Sequence, residues 1–150
     1  MNKQRLFIII ASAIGMISCF LPWLNNSYTG NISGFSIGGW ITCILFGIIF
    51  YVSYSGGNQK EYLSRAKKRF SLILGFLSAL FAIFICYFHI ENSKNFVYGT
   101  LDRDSGVFDN IPFSISYNYG IYLVVIAGFL ISILSFIFKE TQIKAELPVE

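Results

Sequence analysis

Nineteen Asp, Glu, Lys and Arg residues are spread over this 150-residue chain, and none falls within 6–24, 35–55, 70–90 or 118–138. Each of these four windows is about 20 residues long, enough for a helix to cross a hydrocarbon layer of roughly 30 Å. Inside such a layer backbone groups have no water to bond, and a spanning helix satisfies them within itself. Only 13% of the chain is charged, against roughly 25% in soluble domains, and the mean hydropathy is +0.62. The expected fold is an all-α integral membrane protein, a bundle of four transmembrane helices forming a single membrane domain over 1–150. Outer loops are expected at 25–34 and 91–117, and a cytoplasmic tail at 139–150.

The charges between the windows orient them. Gly56 to Arg69 carries Lys60, Arg65, Lys67, Lys68 and Arg69 against the single acid Glu61. Lys and Arg near spans are retained on the cytoplasmic side. The N-terminus adds Lys3 and Arg5 with no acid; the loop 25–34 has no charge; the loop 91–117 has four acids and two bases. All four ends then agree on one topology, with both termini and the basic loop 56–69 in the cytoplasm of a bacterial plasma membrane. The five bases can also meet anionic lipid, at about 1 kcal/mol each, although orientation alone accounts for them. Nucleic acid is not an expected partner, because most of the excess charge sits beside span ends.

Along the chain, Leu6–Leu24 is read as an uncleaved first span, with Pro22 in its last turn and Trp23 at headgroup depth. The alternative is a signal segment, with Ile17-Ser18-Cys19 a weak lipidation box. Asn25–Gly34 is an uncharged, turn-rich loop with two glycosylation-type triplets, Asn25-Asn26-Ser27 and Asn31-Ile32-Ser33. Phe35–Ser55 is the second span and Phe70–Ile90 the third. In Glu91–Tyr117, the strand-like pieces around Asp102-Arg103-Asp104-Ser105-Gly106 suggest a β-hairpin. That pentad lacks the later Glu of a calcium loop. Phe96, Tyr98, Asp102, Asp104 and Phe108 are the candidate contacts for an outer partner. Asn118–Phe138 is the fourth span.

Lipid gives helices little hydrophobic reason to associate, so close approach through small residues has to hold them together. Each window has small residues four apart, which share one helix face: Ala11, Gly15 and Cys19; Gly39, Cys43 and Gly47; Ser71, Gly75 and Ala79; Gly128 and Ser132 with Gly120 before them. The packing residues expected are Ala11, Gly15, Gly39, Cys43, Gly47, Gly75, Ala79, Gly128 and Ser132.

Chemistry-bearing residues are sparse. The chain has one histidine, His89, and its three cysteines, Cys19, Cys43 and Cys86, fall inside the windows, so no disulfide framework, metal or cofactor is expected. A carboxylate in mid-span, the feature a small proton-coupled multidrug exporter needs, is absent. The loop layout is similar to that of tetraspanins, but the larger loop has no Cys-Cys-Gly. The expected function is that of a non-catalytic assembly or accessory subunit, binding another membrane protein or a second copy. The alternative is a homo-oligomeric channel or small transporter, with Ser12, Ser18, Thr42, Ser53, Ser78, Ser132 and Ser135 to line its path.

Overall fold

The computed structural model describes residues 2–27, 30–55, 63–101 and 114–137, with side chains to 94 in the third segment. It is mostly helical, with a small antiparallel sheet at one end. In chain order the elements are α1 (Lys3–Ser18), β1 (Pro22–Asn26), β2 (Gly30–Ser33), a short 3-10 turn (Phe35–Ile37), α2 (Trp40–Tyr54), α3 (Arg65–Leu101), β3 (Ile115–Tyr117) and α4 (Tyr119–Ile137). The expectation of an all-α chain is corrected by that sheet.

Two helices, α3 over Arg65–Lys94 and α4 over Tyr119–Ile137, are long and apolar enough to cross a membrane. Only 33% and 39% of their most apolar windows are buried. A core helix of a soluble domain would bury most of such a window. Here Ile73, Leu80, Phe84, Ile126, Ile133 and Phe136 all face outward. At 1.5 Å per residue, the 37 residues of α3 extend about 55 Å, well beyond the apolar part of the helix.

The first two windows make shorter helices than expected. The α1 helix, capped by the Asn2 side chain accepting from the Gln4 N–H at 2.9 Å, ends at Ser18. Pro22 cannot donate to a helix ladder, and it opens β1 instead of closing the helix. At the other end, α2 starts at Trp40 because Gly38 takes φ +106, a left-handed conformation that halts the preceding turn.

The loop 25–34 is correspondingly not irregular. Its residues pair β1 with β2 as a hairpin in register Leu24↔Ile32 and Asn26↔Gly30, while β3 adds to the free edge of β1 with Leu24↔Tyr117 and Asn26↔Ile115. The sheet order is β2-β1-β3. The hairpin expected within 91–117 does not form from Asn95–Leu101, which continues α3. Adding a residue to an existing helix gains a bond without a new nucleation cost, and the first glycine after Gly75 in α3 is Gly99.

The helices alternate in direction, each touching the one next in sequence, and α4 returns against α1. The interior is lined by Ile8, Phe46, Ala82, Val124 and Ile131. At the sheet end Trp23 is completely buried. The strand register shifts between Pro22 and Leu24, a bulge at Trp23 of the kind that re-aims a side chain. The indole N–H donates to the Ser18 carbonyl at 2.8 Å, one of the last carbonyls of α1, which have no partner within the helix; the Leu21 N–H donates to the same oxygen at 3.3 Å. Three glycines make room for the ring. A Cβ on Gly34 would fall within the indole itself, and one on Gly39 or Gly120 would lie 2.8 Å from it.

Candidate functional site

The small residues separate into groups with different surroundings. Gly75 and Gly128 bring α3 and α4 into backbone contact: a Cβ on Gly75 would lie 2.9 Å from the Gly128 carbonyl oxygen, and one on Gly128 would lie 2.6 Å from that of Gly75. Ala79 lines the same seam, 3.0 Å from the latter Cβ. The Ser132 hydroxyl is within 3.1 Å of both the Leu72 carbonyl across the seam and the Gly128 carbonyl on its own helix. Gly15 faces the Phe46 ring of α2, where a Cβ would approach to 2.7 Å, and Ala11 is buried on the same face of α1. Gly39 serves the Trp23 seat, touching the Gly34 carbonyl, not a neighbouring helix. Among the described residues Gly47 has only the Met16 sulfur nearby, 3.8 Å from a built Cβ, and Cys43 is half-buried.

The opposite end of the bundle is polar inside. Gln4 and Arg5 at the start of α1 are 0% and 3% exposed, and Lys68 at the start of α3 is 8% exposed. Ser53, Ser71 and Ser135 are buried on α2, α3 and α4. Both amide atoms of Gln4, Nε and Nη1 of Arg5 and all three serine hydroxyls have no hydrogen-bond partner among the described residues. Burying a polar group without a partner costs about 1–3 kcal/mol, and a lone charge costs more, so a partner for these groups would be strongly favoured. The sequence reading placed no charge between the helices. The fold extends the packed region past the uncharged windows and takes in Arg5 and Lys68. The signal was present in the spacing: Lys68 lies three residues before Ser71 and so continues the row Ser71, Gly75 and Ala79, while Gln4 lies seven before Ala11.

Beside this interior, a cavity of about 200 Å³ lies between the start of α3 and the end of α4, lined by Arg65, Lys68, Arg69, Leu72, Ser135 and Phe136. Three of the five bases of the central loop therefore border one hollow, whose exposed lining is mostly apolar. Lys67 points elsewhere and is half-buried, and Lys60 lies outside the described residues.

Of the outer-loop candidates, Phe96 and Tyr98 sit on the helical backbone of α3. Their side chains, and Asp102, Asp104 and Phe108 entirely, lie outside the described residues. What the structure supplies at that end instead is a sheet tied by bonds between distant residues. The Asn118 amide donates to the Asn31 side-chain oxygen at 3.0 Å, the Ser27 N–H to the Ser114 carbonyl at 3.1 Å and the Asn118 N–H to the Trp23 carbonyl at 2.8 Å.

No known protein family, curated protein or solved structure matches this chain.

Proposed function

We propose that this chain is a multi-pass protein of the bacterial plasma membrane that acts as a non-catalytic assembly or accessory subunit. Four helices cross the bilayer, and both termini are cytoplasmic. Its partner is another membrane protein or a second copy. The alternating helices support this topology. They collect Lys3, Arg5, Arg65, Lys67, Lys68 and Arg69 at one end and place Glu91 and the sheet toward the other. That is the asymmetry cytoplasmic retention of bases produces. The short α1 and α2 are accommodated because the hairpin that connects them packs against α4.

The observation that carries the subunit reading is the closed interior. The α3–α4 seam is in backbone contact, and the hydroxyls of Ser12, Ser18 and Ser78 turn back onto carbonyls of their own helices at 2.7–2.9 Å. Their hydroxyl protons are committed within their own helices, which leaves these serines no proton to offer an anion. The outer faces and the two ends are then the surfaces left for recognition. A homo-oligomeric channel or small transporter is the second reading. It is favoured by the buried hydroxyls of Thr42, Ser53, Ser71 and Ser135, which have no partner among the described residues.

The test combines orientation with flux. Single cysteines at Lys67 and Ser116, in a chain whose own cysteines are replaced by alanine, are expected to label from opposite sides of sealed membrane vesicles. Labelling from one side would overturn the topology. Purified protein in liposomes is expected to show no ion flux. A conductance abolished by Ser53→Leu would replace the subunit reading with the channel.

A further inference from the structure

We propose that Cys19 and Cys43 are an oxidisable pair that closes into a disulfide between α1 and α2, with a disulfide compound or protein as the oxidant. All three cysteines of the chain are free thiols, and the fold brings two of them together. Cys19 caps the end of α1 and Cys43 lies in the first turn of α2. A short run of backbone bonds fixes one against the other. The Cys19 carbonyl accepts from the Phe35 N–H at 2.7 Å, the adjoining Gly34 carbonyl accepts from the Gly39 N–H at 2.8 Å, and the Gly39 carbonyl accepts from the Cys43 N–H at 3.0 Å. The Cys43 thiol is thereby held within hydrogen-bonding range of the Cys19 thiol, which itself donates to the Gly15 carbonyl at 3.3 Å. Side chains this short touch only where their backbones are close, and close backbones are the condition for a disulfide.

The two thiols differ in access, which sets the order of events. Cys19 is 0% exposed, whereas Cys43 is half-buried. A donor disulfide reaches Cys43 first, because exchange depends on access to the attacking sulfur. The Cys43 thiolate attacks one donor sulfur, forms a mixed disulfide and releases one donor thiolate. The Cys19 thiolate then attacks the Cys43 sulfur and expels the second donor thiolate. The pair gives up two electrons to the donor, and the two thiol protons end on the released donor thiolates. Contact makes the second attack intramolecular, which favours it over capture by an outside thiol. The bond would enclose the hairpin and the turn whose glycines surround Trp23, so oxidation would lock the sheet end of the bundle. In the topology proposed above this is the outer end, facing a compartment where disulfides persist. Only the source of the donor rests on that reading; the pairing does not.

The experiment uses full-length Cys86→Ala protein in detergent, treated with dipyridyl disulfide. Released pyridinethione and intact mass are followed together. The expected result is two pyridinethiones per chain, a mass lower by two hydrogens and a higher thermal midpoint, all reversed by dithiothreitol. With Cys19→Ala added, one pyridinethione should be released and a pyridyl group should stay on Cys43. With Cys43→Ala added instead, release should be several-fold slower, since the remaining thiol is enclosed. A pyridyl group retained on Cys43 in the chain that keeps Cys19 would overturn the pair. So would a disulfide-linked dimer in place of the internal bond. If Cys19→Ala does not fold, the mass of the Cys86→Ala chain decides by itself. None of these outcomes depends on orientation in the membrane, which labelling at Lys67 and Ser116 decides separately.

Discussion

The Trp23 seat gives the sharpest test of how this bundle is held. Gly34→Ala puts a methyl group where the indole now is. The ring cannot swing aside: its N–H is fixed to the Ser18 carbonyl at 2.8 Å, and Gly39 and Gly120 close it in on two further sides. Either the loop moves, at about 1–3 kcal/mol for an overpacked site, or the indole leaves, which approaches the 3–5 kcal/mol cost of truncating a buried Trp. Trp23→Leu alone empties part of the seat and leaves the Ser18 carbonyl with only the longer bond from the Leu21 N–H, 3.3 Å, for an expected loss of about 3 kcal/mol. The two changes should not add. Leu leaves the volume that the new methyl group requires, so the double variant should be more stable than the sum of the singles implies by at least about 1 kcal/mol. Unfolding in mixed micelles, followed by far-UV circular dichroism, gives all three values without relying on Trp fluorescence. A double variant equal to the sum within about 0.5 kcal/mol would refute the steric account, since that is how independent sites behave.

Other outcomes follow from particular contacts. Gly128→Leu should separate α3 from α4 and sharply reduce the folded yield, whereas Gly47→Leu should be tolerated, its nearest neighbour being the flexible Met16 side chain; folded yield by size-exclusion chromatography in detergent compares them. Ser132→Ala removes one bond across the seam and should cost only about 0.6 kcal/mol, the average for such bonds in lipid, by the same micelle unfolding assay. Asn118→Ala loses the bond to Asn31 and the one its side-chain oxygen accepts from the Tyr119 N–H at 2.8 Å. It should cost about 1–2 kcal/mol and speed amide exchange in β3 before it affects α3.

Some of this was legible residue by residue. The spacing of Gly75, Ala79, Gly128 and Ser132 marks a close helix contact, and the contact between α3 and α4 is made there. The same spacing at Gly39 and Gly47 marks no such seam, because a glycine four residues from another can equally serve a turn or face open space. Asn95–Leu101 has strand-like composition but follows a helix that had only to continue. Arg5 and Lys68 were read as loop charges because window limits were drawn where charge begins, although their own helical phase placed them on the buried faces.

Local pattern determined where the apolar helices lie, which faces carry small residues and which end collects the bases, since these depend on residues within a few turns of one another. Tertiary structure alone decided that Trp23 is enclosed by glycines from two separate segments, the turn 34–39 and the start of α4. It also decided that β3 joins a hairpin 87 residues earlier in the chain, and that Ser135 and Arg69 border one hollow. Backbone edges carry no address for a distant strand, and an indole fits whichever hollow the assembled elements leave. These contacts therefore exist only once the helices have met.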